Sequence, residues 1–286
     1  MVPAAELAER WRRDLASWAI PEEITSAVEE SPWTLPTRFF ARRADQQLKG
    51  PDGPSYDRAL ETLPSGGTVL DVGSGAGAAS LPLARWASSI TAVDTSAGML
   101  DALAERAIDL GIDVRRTVGR WPDVAGDVPP ADVVVCHNVL YNVPDIEPFV
   151  LALTSHARRR VVVQLTARHP LTPLNPLWLR LHGLRRPDRP VAGDAVAVLM
   201  ALGLRPQART WMRSERPAFD SFDDLVEVTR RRLCLPPARA GELAAALRDL
   251  GVDPRHPQDP GSAARETVTV WWEGSVAERA APLDAM

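Results

Sequence analysis

The stretch VLDVGSGAGAAS (residues 69–80) places Gly73, Gly75 and Gly77 directly after an apolar, β-branched run. Glycine has no Cβ, so a turn built from it lets the backbone approach a ligand closely. If a helix follows, the free amide groups of its first turn point at that ligand. The stretch therefore predicts a strand, a ligand-binding turn and a helix over residues 78–87.

Outward from this turn, apolar runs alternate with helical segments. Strands are predicted at 68–73, 89–94, 114–119, 131–138 and 159–167. Near-continuous Val, Ile and Leu runs of this kind are typical of a buried, mainly parallel sheet. Two further strands are predicted at 206–213 and 266–274, separated by a helical insert at about 214–262. Residues 1–55 predict a helical extension ahead of a main domain over 56–286.

Composition excludes several classes of protein. The chain has 286 residues, of which 45% are hydrophobic, and a formal net charge of −4. That charge attracts neither nucleic acid nor an anionic membrane, and no apolar run has the length of a membrane span. The two cysteines form no C-x-x-C pattern, and the histidines show no metal-ligand spacing. A cytoplasmic protein without a bound metal, a nucleic-acid partner or a membrane is expected.

The glycine turn fits two cofactors. Gly73, Gly75 and Ala78 satisfy the dinucleotide pattern G-x-G-x-x-G/A. Asp71 lies two residues before Gly73, where its charge would repel a pyrophosphate and attract a methionine ammonium. Asp94 ends the second strand and can accept hydrogen bonds from both hydroxyls of a ribose, which either cofactor contains. Asp71 thus favours S-adenosylmethionine over NAD(P), and a turn that binds nothing is the third interpretation.

Asp71 and the three glycines also form D/E-x-G-x-G-x-G, the signature of class I S-adenosylmethionine-dependent methyltransferases. The chain resembles this family over residues 56–213 and 266–274. The resemblance implies a seven-stranded, mostly parallel, doubly wound Rossmann-like sheet whose last strand is antiparallel. It also implies a transferase that moves a methyl group from S-adenosylmethionine to a small-molecule acceptor, releasing S-adenosylhomocysteine. The alternatives are an NAD(P)-dependent Rossmann oxidoreductase and a non-catalytic S-adenosylmethionine-binding regulatory subunit.

The same resemblance assigns the cofactor site. Asp94 would hold the ribose, with Thr95 and Met99 against the adenine. Arg120 and Trp121 stand where the family often has an acidic residue before a small one, so Trp121 is expected to stack on the adenine; plain core packing is the alternative. Cys136 and His137 would lie beside the methionine end. The complete expected set is Asp71, Gly73, Ser74, Gly75, Gly77, Asp94, Thr95, Met99, Arg120, Trp121, Cys136 and His137.

Methyl transfer from a sulfonium needs an aligned nucleophile more than it needs a protein catalyst, because the cofactor supplies the activated methyl. His137 and Tyr141 follow the fourth strand at the carboxyl edge of the sheet, where ligands bind in open α/β folds. They are the predicted catalytic residues, with a hydrogen bond to the cofactor as the alternative role of His137. The Asn/Asp-Pro-Pro-aromatic tetrad of the family's N-methyltransferases is absent, and the acceptor atom stays open.

The N-terminal extension carries a possible lid. Phe39 and Phe40 lie beside Arg38, Arg42 and Arg43 on one predicted helix. An aromatic side chain there would cover the cofactor while a guanidinium binds its carboxylate in bidentate fashion. In the alternative, both phenylalanines pack on the sheet and the arginines are solvated.

Overall fold

The computed structural model describes residues 2–26, 28–29, 32, 37–213, 219–257 and 266–275. Within these residues, seven strands form one sheet: β1 Gly67–Val72, β2 Ala87–Asp94, β3 Asp113–Val118, β4 Ala131–His137, β5 Ala157–Thr166, β6 Gln207–Met212 and β7 Glu266–Glu273. Their order is β3-β2-β1-β4-β5-β7-β6. The first five strands are parallel, and β7 is antiparallel to both β5 and β6. The predicted seven-stranded, doubly wound sheet is confirmed.

Ten α-helices surround the sheet in the described part of the chain: α1 Ala4–Ala16, α2 Glu22–Thr25, α3 Thr37–Lys49, α4 Pro54–Leu60, α5 Ala97–Leu110, α6 Ile146–His156, α7 Asn175–His182, α8 Ala192–Ala201, α9 Phe222–Arg232 and α10 Ala240–Asp249. None of the helices among these residues is both long and apolar enough to cross a membrane. Helix α5 begins and ends as its sequence predicts, since the Ser96 hydroxyl accepts a hydrogen bond from the Met99 amide and Gly111 adopts a left-handed φ of 66°.

The apolar side chains form a core on each face of the sheet and a third cluster beyond it. One core joins the strands to α1, α6 and α8 through residues such as Trp11, Leu153 and Val198. The opposite core joins them to α4 and α5. The third cluster packs α7, α9 and α10 together and receives Phe39 from α3. The extension and the insert are therefore packed against each other; the predicted insert residues 214–218 and 258–262 lie outside the described residues.

The helix predicted over residues 78–87 is wrong. Residues 76–80 are turns, and a single 3-10 turn covers Leu81–Leu83. Pro82 explains the difference, because proline has no amide hydrogen and its ring collides with the carbonyl four residues earlier in an α-helix. The glycine turn consequently has no α-helix behind it and is held by side chains instead.

Candidate functional site

A cavity of about 720 Å³ opens at the carboxyl ends of the central strands. Its floor is the glycine turn after β1 and the ends of β2 and β4, and α3 and α4 contribute the opposite wall. The chain continues from β1 to β2 on one side of the sheet and from β4 to β5 on the other. This switch leaves a crevice for ligands between β1 and β4. The volume lies within the range of about 300–1,000 Å³ that is usual for small-molecule sites.

The three glycines of the turn have different reasons to be glycine. A Cβ on Gly73 would lie 2.3 Å from Val139, and one on Gly77 would lie 2.6 Å from Leu81, so both positions are closed by packing. Gly75 has a φ of 50°, and a Cβ there would meet no protein atom within 4 Å. Gly73, Ser74 and Gly75 line the cavity. Only at Gly75 does the missing side chain leave space on the cavity side.

Asp94 fastens the glycine turn to the end of β2. One of its carboxylate oxygens accepts a hydrogen bond from the Gly75 amide at 2.8 Å, and the other accepts one from the Ser96 amide at 2.9 Å. The residue is half-buried and lines the cavity. Each carboxylate oxygen retains a further lone pair, so Asp94 can hold the turn and still accept hydrogen bonds from a diol.

Asp71 lies beneath the turn rather than on the cavity wall. It is fully buried, and its Oδ2 accepts a hydrogen bond from the Ser80 hydroxyl at 2.6 Å. Oδ1 has no hydrogen-bond partner among the described residues. Burial raises the pKa of Asp71 to about 7, although the Ser80 hydrogen bond acts in the opposite direction. The sequence predicts that Asp71 attracts the methionine ammonium of the cofactor. In the structure, its hydrogen bond with Ser80 supports the turn from below.

Thr95, Met99, Arg120 and Trp121 all line the same end of the cavity. Trp121 is also part of the core: it is 6% exposed, its indole NH donates to the Phe149 carbonyl at 3.4 Å, and its ring meets the edge of His156. The two interpretations offered for Trp121 are therefore compatible, since one face of the residue packs and another faces the cavity.

His137 ends β4 and lines the cavity, while its neighbour Cys136 points to the opposite face and is buried in the core. Cys136 therefore lies off the cavity wall, because successive strand residues alternate between faces. The Nε2 atom of His137 is buried and has no hydrogen-bond partner in the described part of the chain. Burial lowers the pKa of His137 to about 3, helped by the charges of Arg43 and Arg213. The imidazole is neutral at pH 7 and is a very weak base.

Tyr141 is not placed to react. It is 6% exposed, and its hydroxyl donates to the Thr166 carbonyl at 2.8 Å. Its ring stacks on Trp11 and meets the edge of His169. Burial raises the pKa of this phenol far above its ordinary value. The predicted catalytic role of Tyr141 fails because the 3-10 turn after β4 directs the side chain into the core.

Helix α3 gives the lid hypothesis a mixed outcome. Phe40 and Arg43 line the cavity, whereas Phe39 packs on Phe219 with ring centroids 5.2 Å apart. On the side facing α9, two ion pairs connect the helix to the insert: Arg38 with Asp224 and Arg42 with Asp220. One phenylalanine and one arginine thus face the cavity, and the others hold the helix in place.

Several polar residues line the cavity that the sequence did not predict to be there. Gln164 interrupts the apolar run of β5, is 4% exposed and accepts a hydrogen bond from the Ser55 hydroxyl at 2.8 Å. Asn138 follows His137 with a φ of 62°, a left-handed conformation that is uncommon for residues other than glycine and in which asparagine is enriched. Both line the cavity with Ser55 and Gln47. The polar residue inside VVVQLT was the available signal for Gln164, while Gln47 and Ser55 belong to unremarkable helical sequence.

The sheet has a Rossmann-like fold, and the cavity lies at its switch point between β1 and β4. Residues 69–159 match the family model described as a methyltransferase domain. Over these residues the chain is similar to methyltransferase domains, and the cofactor expected for it is S-adenosylmethionine. The cavity residues fit that cofactor, since Gly75 leaves room for it, Asp94 offers diol acceptors, and the α-helix that a pyrophosphate would use is missing behind the turn.

Known proteins share the fold and part of the sequence. A Haemophilus influenzae protein called uncharacterized is 38% identical over 103 residues, covering 35% of this chain and 38% of its own length. The ubiquinone biosynthesis O-methyltransferase of Xylella fastidiosa is 34% identical over 82 residues, covering 28% and 33%. The chain thus spans about a third of the length of these curated relatives. The structure of the Bacillus subtilis YcgJ protein matches with a TM-score of 0.50 and 17% identity, covering 78% of this chain and 99% of that one. The structure of magnesium protoporphyrin IX methyltransferase from Synechocystis PCC 6803, which contains bound S-adenosylhomocysteine, matches with a TM-score of 0.48 and 17% identity, covering 93% of each chain.

Proposed function

We propose that this protein transfers the methyl group of S-adenosylmethionine to a small-molecule acceptor bound in the same cavity. The observation that carries the proposal is the turn itself. Gly75 leaves open space on the cavity side, and its amide donates a hydrogen bond to the Asp94 carboxylate, which holds the turn in place. When bound, S-adenosylmethionine supplies an activated methyl group on a sulfonium. Everything else that the chain contributes is binding, alignment and exclusion of water.

The cavity residues divide the work by position. Asp94, Thr95, Met99 and Trp121 would bind the adenosine part over the ends of β2 and β3, and the glycine turn would lie under the methionine part. Asp71 would support the turn from below through Ser80. His137 at the end of β4 would meet the methyl end as a neutral hydrogen-bonding group. Phe40 and Arg43 of α3 would cover the cavity, so residues 1–55 act partly as a lid.

Calorimetric titration with S-adenosylmethionine and, separately, with NAD tests the cofactor assignment. We expect binding of the first and none of the second, because the helix dipole that favours a pyrophosphate is missing at this turn. Release of S-adenosylhomocysteine on incubation with a panel of small metabolites then tests turnover. Binding of NAD alone would return the protein to the oxidoreductase alternative. Cofactor binding without turnover of any panel member would support the regulatory subunit.

A further inference from the structure

The acceptor end of the cavity is identified by the order of the strands. The adenosine-side residues follow β2 and β3, on one side of β1. On the other side, beyond β4, the wall is made by His137, Gln164 of β5, Ser55 of α4 and Arg43 of α3. If the adenosine part of the cofactor binds over Asp94 at the end of β2, its methionine part would extend towards this second half. The group that receives the methyl would then bind among these residues.

Three charged side chains lie near this acceptor end. Arg43 and Asp52 line the cavity, and the charges of Arg43 and Arg213 both act on His137. Arg213 follows β6, and Trp211 of that strand packs against the cavity wall. A Cβ on Gly53 would lie 2.3 Å from the Trp211 ring. The Trp211 indole donates a hydrogen bond to Thr269, which is hydrogen-bonded to the wall residue Ser55. Nη2 of Arg213 is buried without a hydrogen-bond partner among the residues described.

Proton acceptors are scarce at the same place. His137 is too weak a base, and the hydroxyl of Tyr141 is bonded to a backbone carbonyl on the core side. The carboxylates among the described cavity-lining residues are Asp52 and Asp94. Asp94 accepts two backbone hydrogen bonds at the adenosine side, and the charge of Asp52 acts on Arg213. Among the described lining residues, this half therefore contains one carboxylate, Asp52, whose charge is engaged with Arg213.

We infer that the acceptor is a small organic carboxylate, bound by Arg43 and Arg213 beside the unpartnered Nε2 of His137, and that the product is its methyl ester. The inference rests on the proposed function. A carboxylate is already ionised at neutral pH, and guanidinium groups bind it in bidentate fashion. One carboxylate oxygen forms a bond to the methyl carbon as the sulfur–carbon bond breaks, and that electron pair stays on sulfur. A neutral ester and a neutral thioether result, and no proton is transferred.

The test compares acids with their uncharged amides. Thermal melting is followed in saturating S-adenosylhomocysteine with benzoate or octanoate, and with benzamide or octanamide as isosteric controls. We expect the acids to raise the melting temperature and the amides to leave it unchanged. Incubation of the acids with S-adenosylmethionine should give methyl benzoate or methyl octanoate, detected by mass spectrometry. Equal responses to acids and amides, or no response to either acid, would overturn the inference.

Variants separate this inference from the proposed function. Arg213→Met should weaken acid binding at least tenfold while the affinity for S-adenosylmethionine stays within twofold of the wild type. Arg213→Lys, which keeps the charge, should retain the preference for acids over amides. Arg209→Met, at an exposed position of β6, is the matched control for the loss of one arginine and should change neither. Normal acid binding by Arg213→Met would refute the role of Arg213. If the wild-type protein does not bind S-adenosylmethionine, the proposed function is refuted instead.

Discussion

Replacing Asp94 by alanine tests the geometry of the cofactor site most directly. The substitution removes the acceptors for the Gly75 and Ser96 amides, which lie 2.8 and 2.9 Å from the carboxylate oxygens. It also removes the predicted acceptor for the ribose hydroxyls. Hydrogen bonds to a charged group contribute about 1.5–3 kcal/mol each. Loss of one such contact with the cofactor therefore weakens binding by a factor of roughly 10 to 150.

The effect on folding should be smaller than the effect on binding. Asp94 is half-buried, so water can reach the freed amides, and the free energy of unfolding should fall by only about 1 kcal/mol. Calorimetric titration with S-adenosylmethionine and urea unfolding measure the two quantities on the same preparations. Asp109→Ala, an exposed carboxylate on α5, is the control for the loss of one negative charge. A dissociation constant within twofold of the wild type, with unchanged stability, would remove Asp94 from the site.

Three other substitutions have distinct expected outcomes. Gly75→Val should leave a folded protein by circular dichroism, since the new Cβ meets no protein atom, although the left-handed φ costs about 1–2 kcal/mol of stability. The variant should not bind the cofactor in calorimetric titration, and normal binding would contradict the placement of the turn. Tyr141→Phe removes the hydrogen bond to the buried Thr166 carbonyl, so urea unfolding should show a loss of about 0.5–1.5 kcal/mol while the rate of methyl transfer per folded molecule is unchanged; a large fall in kcat would restore a catalytic role. The pKa of His137 is lowered to about 3, so its contribution to stability is complete above pH 6.5 and is lost as pH falls towards 3. The pKa of Asp71 is raised to about 7, so its contribution is complete below pH 3.8 and is lost as pH rises towards 7. The two slopes oppose each other between pH 4 and 6.5, so Asp71→Asn should make stability fall more steeply on acidification than in the wild type, by up to about 1.4 kcal/mol per pH unit in urea titrations; an unchanged slope would show that Asp71 is not protonated in the folded state.

The sheet was predictable from the sequence because its strands carry their own signal. Runs such as ADVVVCHN and RRVVVQLTA contain the β-branched residues of buried parallel strands, and each coincides with an observed strand. The glycine turn was recognisable for the same local reason. The signal against the helix behind it was equally local, since Pro82 lies inside the predicted segment.

The cavity wall was less predictable because long-range packing decides which way a side chain points. Asp71 and Tyr141 have the chemistry of a site, and their burial depends on Ser80 in one case and on Thr166 in the other. Strand alternation alone would have separated Cys136 from His137, since adjacent residues face opposite sides of a sheet. Arg213 could not be associated with His137 without knowing that β6 closes the sheet at its far edge.

Helix α3 connects the cavity to a part of the chain that never touches it. One side of the helix presents Phe40 and Arg43 to the cavity, and the other is joined to residues 219–224 by an aromatic contact and two ion pairs. A shift of this segment by even a fraction of a helical turn would carry the cavity wall with it. Divergence of acceptor choice among proteins of this architecture can therefore begin on the outer surface, where substitutions are tolerated, and leave the cofactor residues untouched.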